Sequence, residues 1–282
     1  MEFILRNLKK IIPRSLFNSL QPSYHLFMAW LGAVIYRFPS RSINVIAITG
    51  TKGKSSTTEI LNAISEAAGK NTAVAGTIRF KIGDESKPNK HKMTVPGRMF
   101  IQKFLRNAVD AKCEYAILEM TSEAARQFRH KFIDFDTLIF LNLSPEHIES
   151  HGGYEKYVEA KLSLAYTLEH SKKSRKIIVA NGDDKESSRF LNIDVDEKHT
   201  FSLKDAEPYI LDHFGLYLSY KGRNMRSHLQ GLFNISNILA ALTYASTQGI
   251  SPEVAERGLE KLTMISGRVQ KITLPRDHVN AH

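Results

Sequence analysis

Lys54 stands where phosphate chemistry could be done. The run Gly50, Thr51, Lys52, Gly53, Lys54, Ser55, Ser56 follows a mostly β-branched or small stretch, Val45 to Thr49, and precedes helical apolar spacing at Ile60, Leu61 and Ile64. A strand, a glycine turn and a helix in that order present unpaired N–H groups and the positive end of the helix dipole to the turn, where phosphate is the natural guest. Lys54 can reach β- or γ-phosphate oxygens as a point charge, and the Ser55 or Ser56 hydroxyl can ligate Mg²⁺. Ile48 occupies the place of the first glycine of G-x-x-x-x-G-K-[ST], so the loop is shorter than that motif. The competing reading is a glycine-rich turn with solvated lysines.

The elements that must position this loop are legible on either side of it. From Ile43 onward the runs "NVIAIT", "EYAILEM", "DTLIFLNL" and "RKIIVAN" predict strands, and helical patterns lie near 54–68, 97–112 and 154–170. The alternation predicts an α/β fold, a mostly parallel sheet flanked by helices, as a P-loop-type nucleotide-binding domain. In such sheets ligands gather beyond the C-terminal strand ends. There the sequence places Glu119, then Asn142 and His147, then "NGDD" from Asn181 to Asp184. Singly, Glu119 reads equally as a solvated carboxylate and His147 as a surface histidine. Together with Lys54 and the two serines they form an oxygen and nitrogen set suited to Mg²⁺ bridging nucleotide phosphates.

Composition narrows the class. The 282 residues allow one large or two modest domains. The single cysteine, Cys113, excludes an internal disulfide framework and suits a reducing compartment, and no cleavable signal peptide is evident. The net charge is +10, and residues 1–43 hold six Lys/Arg against one acid, Glu2. Leu26 to Ile35 is apolar but too short to span a bilayer, which takes roughly 20 residues. Residues 1–42 therefore read as a basic, apolar helical segment. It either packs on the body of the protein or lies in a membrane interface, with Tyr24, Trp30 and Tyr36 at headgroup level and the basic flanks on anionic lipid. Nucleic acid is not an expected partner, because the basic residues are not interleaved with aromatics along a binding module.

Seven segments in order, "ITGTKGKSSTTE", "LEMTSEAARQFR", "LNLSPEHIESHG", "YVEAKLSLA", "NGDD", "LQGLFNISNILAAL" and "SGRV", resemble the Mur ligases, in particular the tripeptide synthetase branch that adds the third amino acid of the peptidoglycan stem. The resemblance covers residues 43–273, as a central ATP-binding domain, with 274–282 a tail or the start of a C-terminal ligase domain missing here. It implies ATP and Mg²⁺ as cofactors and a UDP-muramoyl-peptide-like carboxylate as acceptor. It also implies cytoplasmic amide formation through an acyl-phosphate, with the amino acid supplied by the missing domain or a partner chain.

Residue by residue, the resemblance makes Lys54 and Ser55 the phosphate-loop pair, and Glu119 and His147 ligands of Mg²⁺. Lys161 becomes the lysine that is carbamoylated to hold a second metal. Asn234, Asn237 and Arg268 become nucleotide contacts, and Thr94, Ser122 and Arg129 contacts to the acceptor. This chain reads Thr94, Val95, Pro96 where the branch has T-T-P, and Glu146, His147, Ile148, Glu149 where it has D-H-x-D. A folylpolyglutamate synthase-like ligase and a non-catalytic nucleotide-binding subunit are the alternatives.

Overall fold

The computed structural model describes residues 14–91, 93–145 and 152–267, with side chains from residue 20 onward. The tail at 274–282 lies outside the described residues. In chain order the strands are β1 (Asn44–Thr49), β2 (Thr72–Ala75), β3 (Arg79–Ile82), β4 (Glu85–Pro88), β5 (Tyr115–Glu119), β6 (Thr137–Phe140), β7 (Ile177–Asn181) and β8 (Glu197–Phe201). They form one sheet in the order β4-β3-β2-β5-β1-β6-β7-β8. From β2 to β8 the neighbours run parallel, and the β3–β4 hairpin extends the β2 edge antiparallel. The expected α/β class and parallel sheet are thus the observed ones.

The central strands are apolar throughout because both sheet faces are covered. In β1, Val45 and Ala47 enter one core while Ile46 and Ile48 enter the other. Phe140 carries the first core towards Phe190, stacked at 3.9 Å between ring centroids. The second core receives α2 (Lys54–Ala67) through Ile60, Leu61 and Ile64. Two further helices, α7 (Phe233–Thr247) and α8 (Pro252–Lys261), pack against α2. At Gly258 the two backbones nearly touch: a Cβ there would stand 2.6 Å from Ile64 Cα. The helix behind the phosphate loop is therefore clamped by neighbours far along the chain.

At the other end of β1, Asp136 accepts the Val45 N–H at 2.7 Å and pairs with Lys173 Nζ at 2.9 Å. Burial pushes this carboxyl up, against the opposing pull of the N–H and the ammonium. A buried imidazole, His130, is held neutral, its pKa pushed down to about 3 mainly by burial and further by Lys131.

A feature the sequence reading did not anticipate is a three-stranded antiparallel sheet, β9 (Tyr209–Asp212), β10 (Gly215–Tyr220) and β11 (Arg223–Ser227). It caps the second core with Leu216, Leu218 and Met225.

Helix α1 (Arg14–Ile35) lies on α3 (Arg98–Asp110). Ala29 and Ala33 are buried there, and a Cβ at Gly32 would stand 3.0 Å from Met99 Sδ. Its other face leaves large apolar groups in water, among them Phe27 at 54%, Trp30 at 44% and Ile35 at 52% exposure. No helix among the described residues is long and apolar enough to cross a membrane.

Candidate nucleotide and acceptor site

The C-terminal strand ends open into a cleft of about 770 Å³. The loop Thr51–Ser56 forms one wall, Glu119, Asn142 and Asp184 line it from the strand ends, and Phe233 and Asn237 line it from α7. The register explains the grouping: Ile48 sits beside Glu119 on one side and Ile139 on the other, so β1, β5 and β6 end at the same level.

The loop is braced before any ligand arrives. Asn142 Oδ1 accepts the N–H groups of Thr51 and Lys52 at 3.0 and 2.9 Å, while its Nδ2 donates to Lys52 O at 3.1 Å. The Thr51 and Tyr157 hydroxyls meet at 2.9 Å. Gly53 then turns with φ 86°, a left-handed backbone that glycine adopts without steric cost. A Cβ there would also collide with Asn237 Oδ1, so the position excludes side chains twice over. Helix α2 begins at once, and its first-turn N–H groups have no i−4 carbonyls. Lys54 folds back over the loop, donating to Gly50 O at 2.8 Å and Thr51 O at 2.9 Å.

Glu119 is nearly inaccessible, at 2% exposure. One oxygen accepts from Ser55 Oγ at 3.1 Å and from Thr77 Oγ1 at 3.0 Å; the other accepts the Thr77 N–H at 2.8 Å. The Thr77 hydroxyl also meets that of Thr94 at 2.9 Å. A continuous hydrogen-bonded line thus runs from the phosphate loop through Glu119 to the loop bearing Thr94. The Ser55 hydroxyl and Glu119 carboxylate are hard oxygen donors side by side, a set that fits Mg²⁺ sharing its remaining positions with water and phosphate. Among the described residues no three His, Cys, Asp or Glu side chains group into an all-protein metal cage.

Lys161 lies on α5 (Tyr154–Glu169), buried to 1% exposure, with Nζ 2.5 Å from Gly50 O and 5.0 Å from the centroid of the Tyr157 ring. On α7, Asn234 Nδ2 donates to Gln230 O and Asn237 Nδ2 to Asn234 Oδ1, both at 2.8 Å, while Asn237 Oδ1 accepts from Thr57 on α2.

Of the residues expected to meet the acceptor, Ser122 is buried as the first residue of α4 (Ser122–Arg126), which Thr121 caps through the Ala124 N–H at 3.1 Å. The buried Arg129 donates to Val95 O and, at 2.6 Å, to Gln127 Oε1. Arg98 Nε donates to Gln127 O at 2.7 Å. Burial lowers the pKa of both guanidinium groups, that of Arg98 to about 10, where the like charge of Arg129 contributes next. Two guanidinium groups thus stand beside the Thr94 loop, with the Glu119 carboxylate reached through Thr77 on its other side. Val95, where the related pattern has a second threonine, is fully buried in the core.

His147 and Arg268 lie outside the described residues. Sequence reasoning missed Thr77, the donor pair that fixes Glu119. Thr77 follows the end of β2, so the strand-end argument that found Glu119 would have found it had "TAVA" been read as a strand.

A family model for the Mur ligase middle domain matches residues 48–245. The UDP-N-acetylmuramoyl-L-alanyl-D-glutamate–2,6-diaminopimelate ligase of Syntrophomonas wolfei is 31% identical over 265 residues, which cover 91% of this chain and 53% of the relative. The UDP-N-acetylmuramyl-tripeptide synthetase of a Roseiflexus species is 32% identical over 275 residues, covering 89% and 53%. A solved structure of a UDP-N-acetylmuramoyl-L-alanyl-D-glutamate–2,6-diaminopimelate ligase superposes with a TM-score of 0.71 at 25% identity, over 83% of this chain and 49% of that one. The chain spans about half the length of these relatives.

Proposed function

The chain belongs to the Mur ligase family, which it matches across that family's middle domain, and from this membership we propose that residues 43–273 form the ATP-binding unit of a cytoplasmic amide-forming ligase. Its acceptor is a UDP-muramoyl-peptide-like carboxylate, in peptidoglycan precursor synthesis, and the amine is an amino acid presented by a further domain or partner chain.

The observation that carries this reading is the line Ser55, Glu119, Thr77, Thr94, which couples the nucleotide loop to the acceptor loop through one buried carboxylate. A carboxylate is a poor electrophile, so amide formation needs it activated. Held near Thr94 beside the Arg98 and Arg129 guanidinium groups, an acceptor carboxylate oxygen attacks the γ-phosphorus of ATP, and ADP leaves. The amine nitrogen then attacks the acyl-phosphate carbon and phosphate leaves. Lys54 and the first-turn N–H groups of α2 offset the charge that builds on the transferred oxygens. Bound Mg²⁺, for which Ser55 and Glu119 supply oxygens, would add to that neutralisation. Asn237 lines the α7 side of the cleft, and Asn234 holds the Asn237 amide.

Calorimetric titration tests the reading. The chain is expected to bind Mg·ATP and UDP-muramoyl-dipeptide and to ignore tetrahydrofolate. Tetrahydrofolate binding without the muramoyl peptide would make it folylpolyglutamate synthase-like, and nucleotide binding alone would leave a nucleotide-binding subunit.

We further infer that α1 is a peripheral contact with the inner membrane face. The support is its apolar outer face together with the basic bias of residues 1–43. The chain should co-sediment with anionic vesicles more than with neutral ones, less so as salt rises, and several-fold less when Phe27 and Trp30 are replaced by serine. Absence of binding to anionic vesicles at low salt would show that α1 serves only to pack on α3.

A further inference from the structure

Arg98 stands where local electrostatics disfavour an arginine. It is the first residue of α3, at the positive end of the helix dipole, and the first turn of α3 holds no acid. Burial and the like charge of Arg129 both oppose its charge. Among the described residues no carboxylate pairs with it, and its buried Nη2 meets no acceptor. A side chain kept against its local preferences marks a working position.

The one bond it makes says what the work is. Arg98 Nε donates to Gln127 O at 2.7 Å, and from the same face of α3, four residues on, Gln102 Nε2 donates to Phe132 O at 3.2 Å. The segment held between them is strained. Phe128 and Phe132 have φ of 54° and 61°, left-handed values that persist in bulky residues only where the surroundings enforce them. Arg129 lies within this segment and donates forward to Val95 O and back to Gln127 Oε1 at 2.6 Å. Gln127 thus takes a bond from each arginine, Arg98 on its peptide oxygen and Arg129 on its side chain. A shift of Gln127 moves the Arg129 guanidinium and the backbone next to Thr94.

Helix α1 steadies the other side of α3. A Cβ at Gly32 would stand 3.4 Å from Gln102 Cγ, Tyr36 O accepts from Arg106 Nε at 3.2 Å, and Tyr24 lies close enough to favour the Arg98 charge. No side chain caps α3, so this packing is what fixes the helix end that bears Arg98.

We propose that Arg98 is a positioning residue for the acceptor: backed by α1, it holds Gln127 so that Arg129 stands fixed beside the Thr94 loop, and it does not itself touch the acceptor. This rests on the acceptor reading above and adds how α1 takes part in it. A guanidinium ordered beforehand has less freedom to lose when the acceptor binds.

The test compares the full chain with Arg98→Met, Arg98→Lys, Arg129→Met and the Arg98→Met/Arg129→Met pair. Arg98→Met should bind UDP-muramoyl-dipeptide about tenfold more weakly and Mg·ATP as wild type does, which also shows that it is folded. Arg98→Lys should recover most of the loss, because one donor to Gln127 O suffices, whereas a forked contact to the acceptor would not be rescued by lysine. The pair should lose no more than Arg129→Met alone, since Arg98 acts through Arg129. Without any ligand, hydrogen exchange at the amides of residues 128–133 should quicken in Arg98→Met while that of Thr57 behind the phosphate loop stays unchanged. Losses that add in the pair, or exchange and muramoyl-dipeptide affinity equal to wild type in Arg98→Met, overturn the proposal and spare the acceptor reading. Absence of muramoyl-dipeptide binding in the wild type refutes the acceptor reading and the proposal with it.

Discussion

Lys54→Ala is expected to weaken binding of Mg·ATP about 100-fold, because a charge-assisted contact to phosphate in a partly enclosed site is worth about 2–3 kcal/mol. The geometry explains why one side chain carries so much. Lys54 Nζ already sits within the loop, on the carbonyls of Gly50 and Thr51, so little side-chain entropy remains to be lost when phosphate arrives. Those two bonds also mean that alanine loosens the empty loop, and a fall in affinity through misfolding must be told from a lost contact. Adenosine separates the two cases. It has no phosphate, so its affinity should hold within about twofold in Lys54→Ala while ATP falls. Lys54→Arg should recover only part of the loss, since a planar fork does not fit a corner shaped for an ammonium against two carbonyls. Equal ATP affinity in wild type and Lys54→Ala, measured by calorimetry, would remove the loop from the nucleotide site.

The strands legible in the sequence were those buried on both faces. β1, β5, β6 and β7 read as unbroken apolar runs because helices cover them above and below. β4, "ESKP", is wholly exposed, and β8, "EKHTF", is polar until Phe201, so neither edge strand carries that signal. The β9–β11 sheet was written in a different period, with Leu216, Leu218 and Tyr220 alternating inward, and Lys221-Gly222 at the turn. The site divides along the same line. Lys54 and Glu119 announce themselves because each follows an obvious strand. The approach of Asn237 to Gly53 spans most of the domain, and no local pattern encodes it; the family resemblance supplied the residue, and the packing of α7 and α8 on α2 supplies the reason. Val95 shows the limit of reading motifs by type, since the side chain that departs from the pattern points into the core and leaves its carbonyl to Arg129.

Lys161 carries the largest expected effect on turnover. A buried ammonium is costly unless matched, and Gly50 O at 2.5 Å is the match on hand. That places the amine beside the phosphate loop, where an anionic oxygen would ligate a Mg²⁺ that an ammonium repels. Attack of the unprotonated Nζ on carbon dioxide forms an N–C bond and releases one proton. The carbamate that the family resemblance implies at Lys161 would keep an N–H for Gly50 O and add two hard anionic oxygens, the donor type Mg²⁺ prefers. With ¹³C-labelled bicarbonate the chain should therefore show a carbamate carbonyl signal that vanishes in Lys161→Gln. Glutamine can still donate to Gly50 O, so this variant should bind ATP within a few-fold of wild type while acceptor-dependent ADP release falls about 10³-fold, the scale for losing one buried charge that stabilises a transition state. If the lysine only anchors the loop, the result reverses: no labelled carbonyl in wild type, and Lys161→Gln releasing ADP at the wild-type rate.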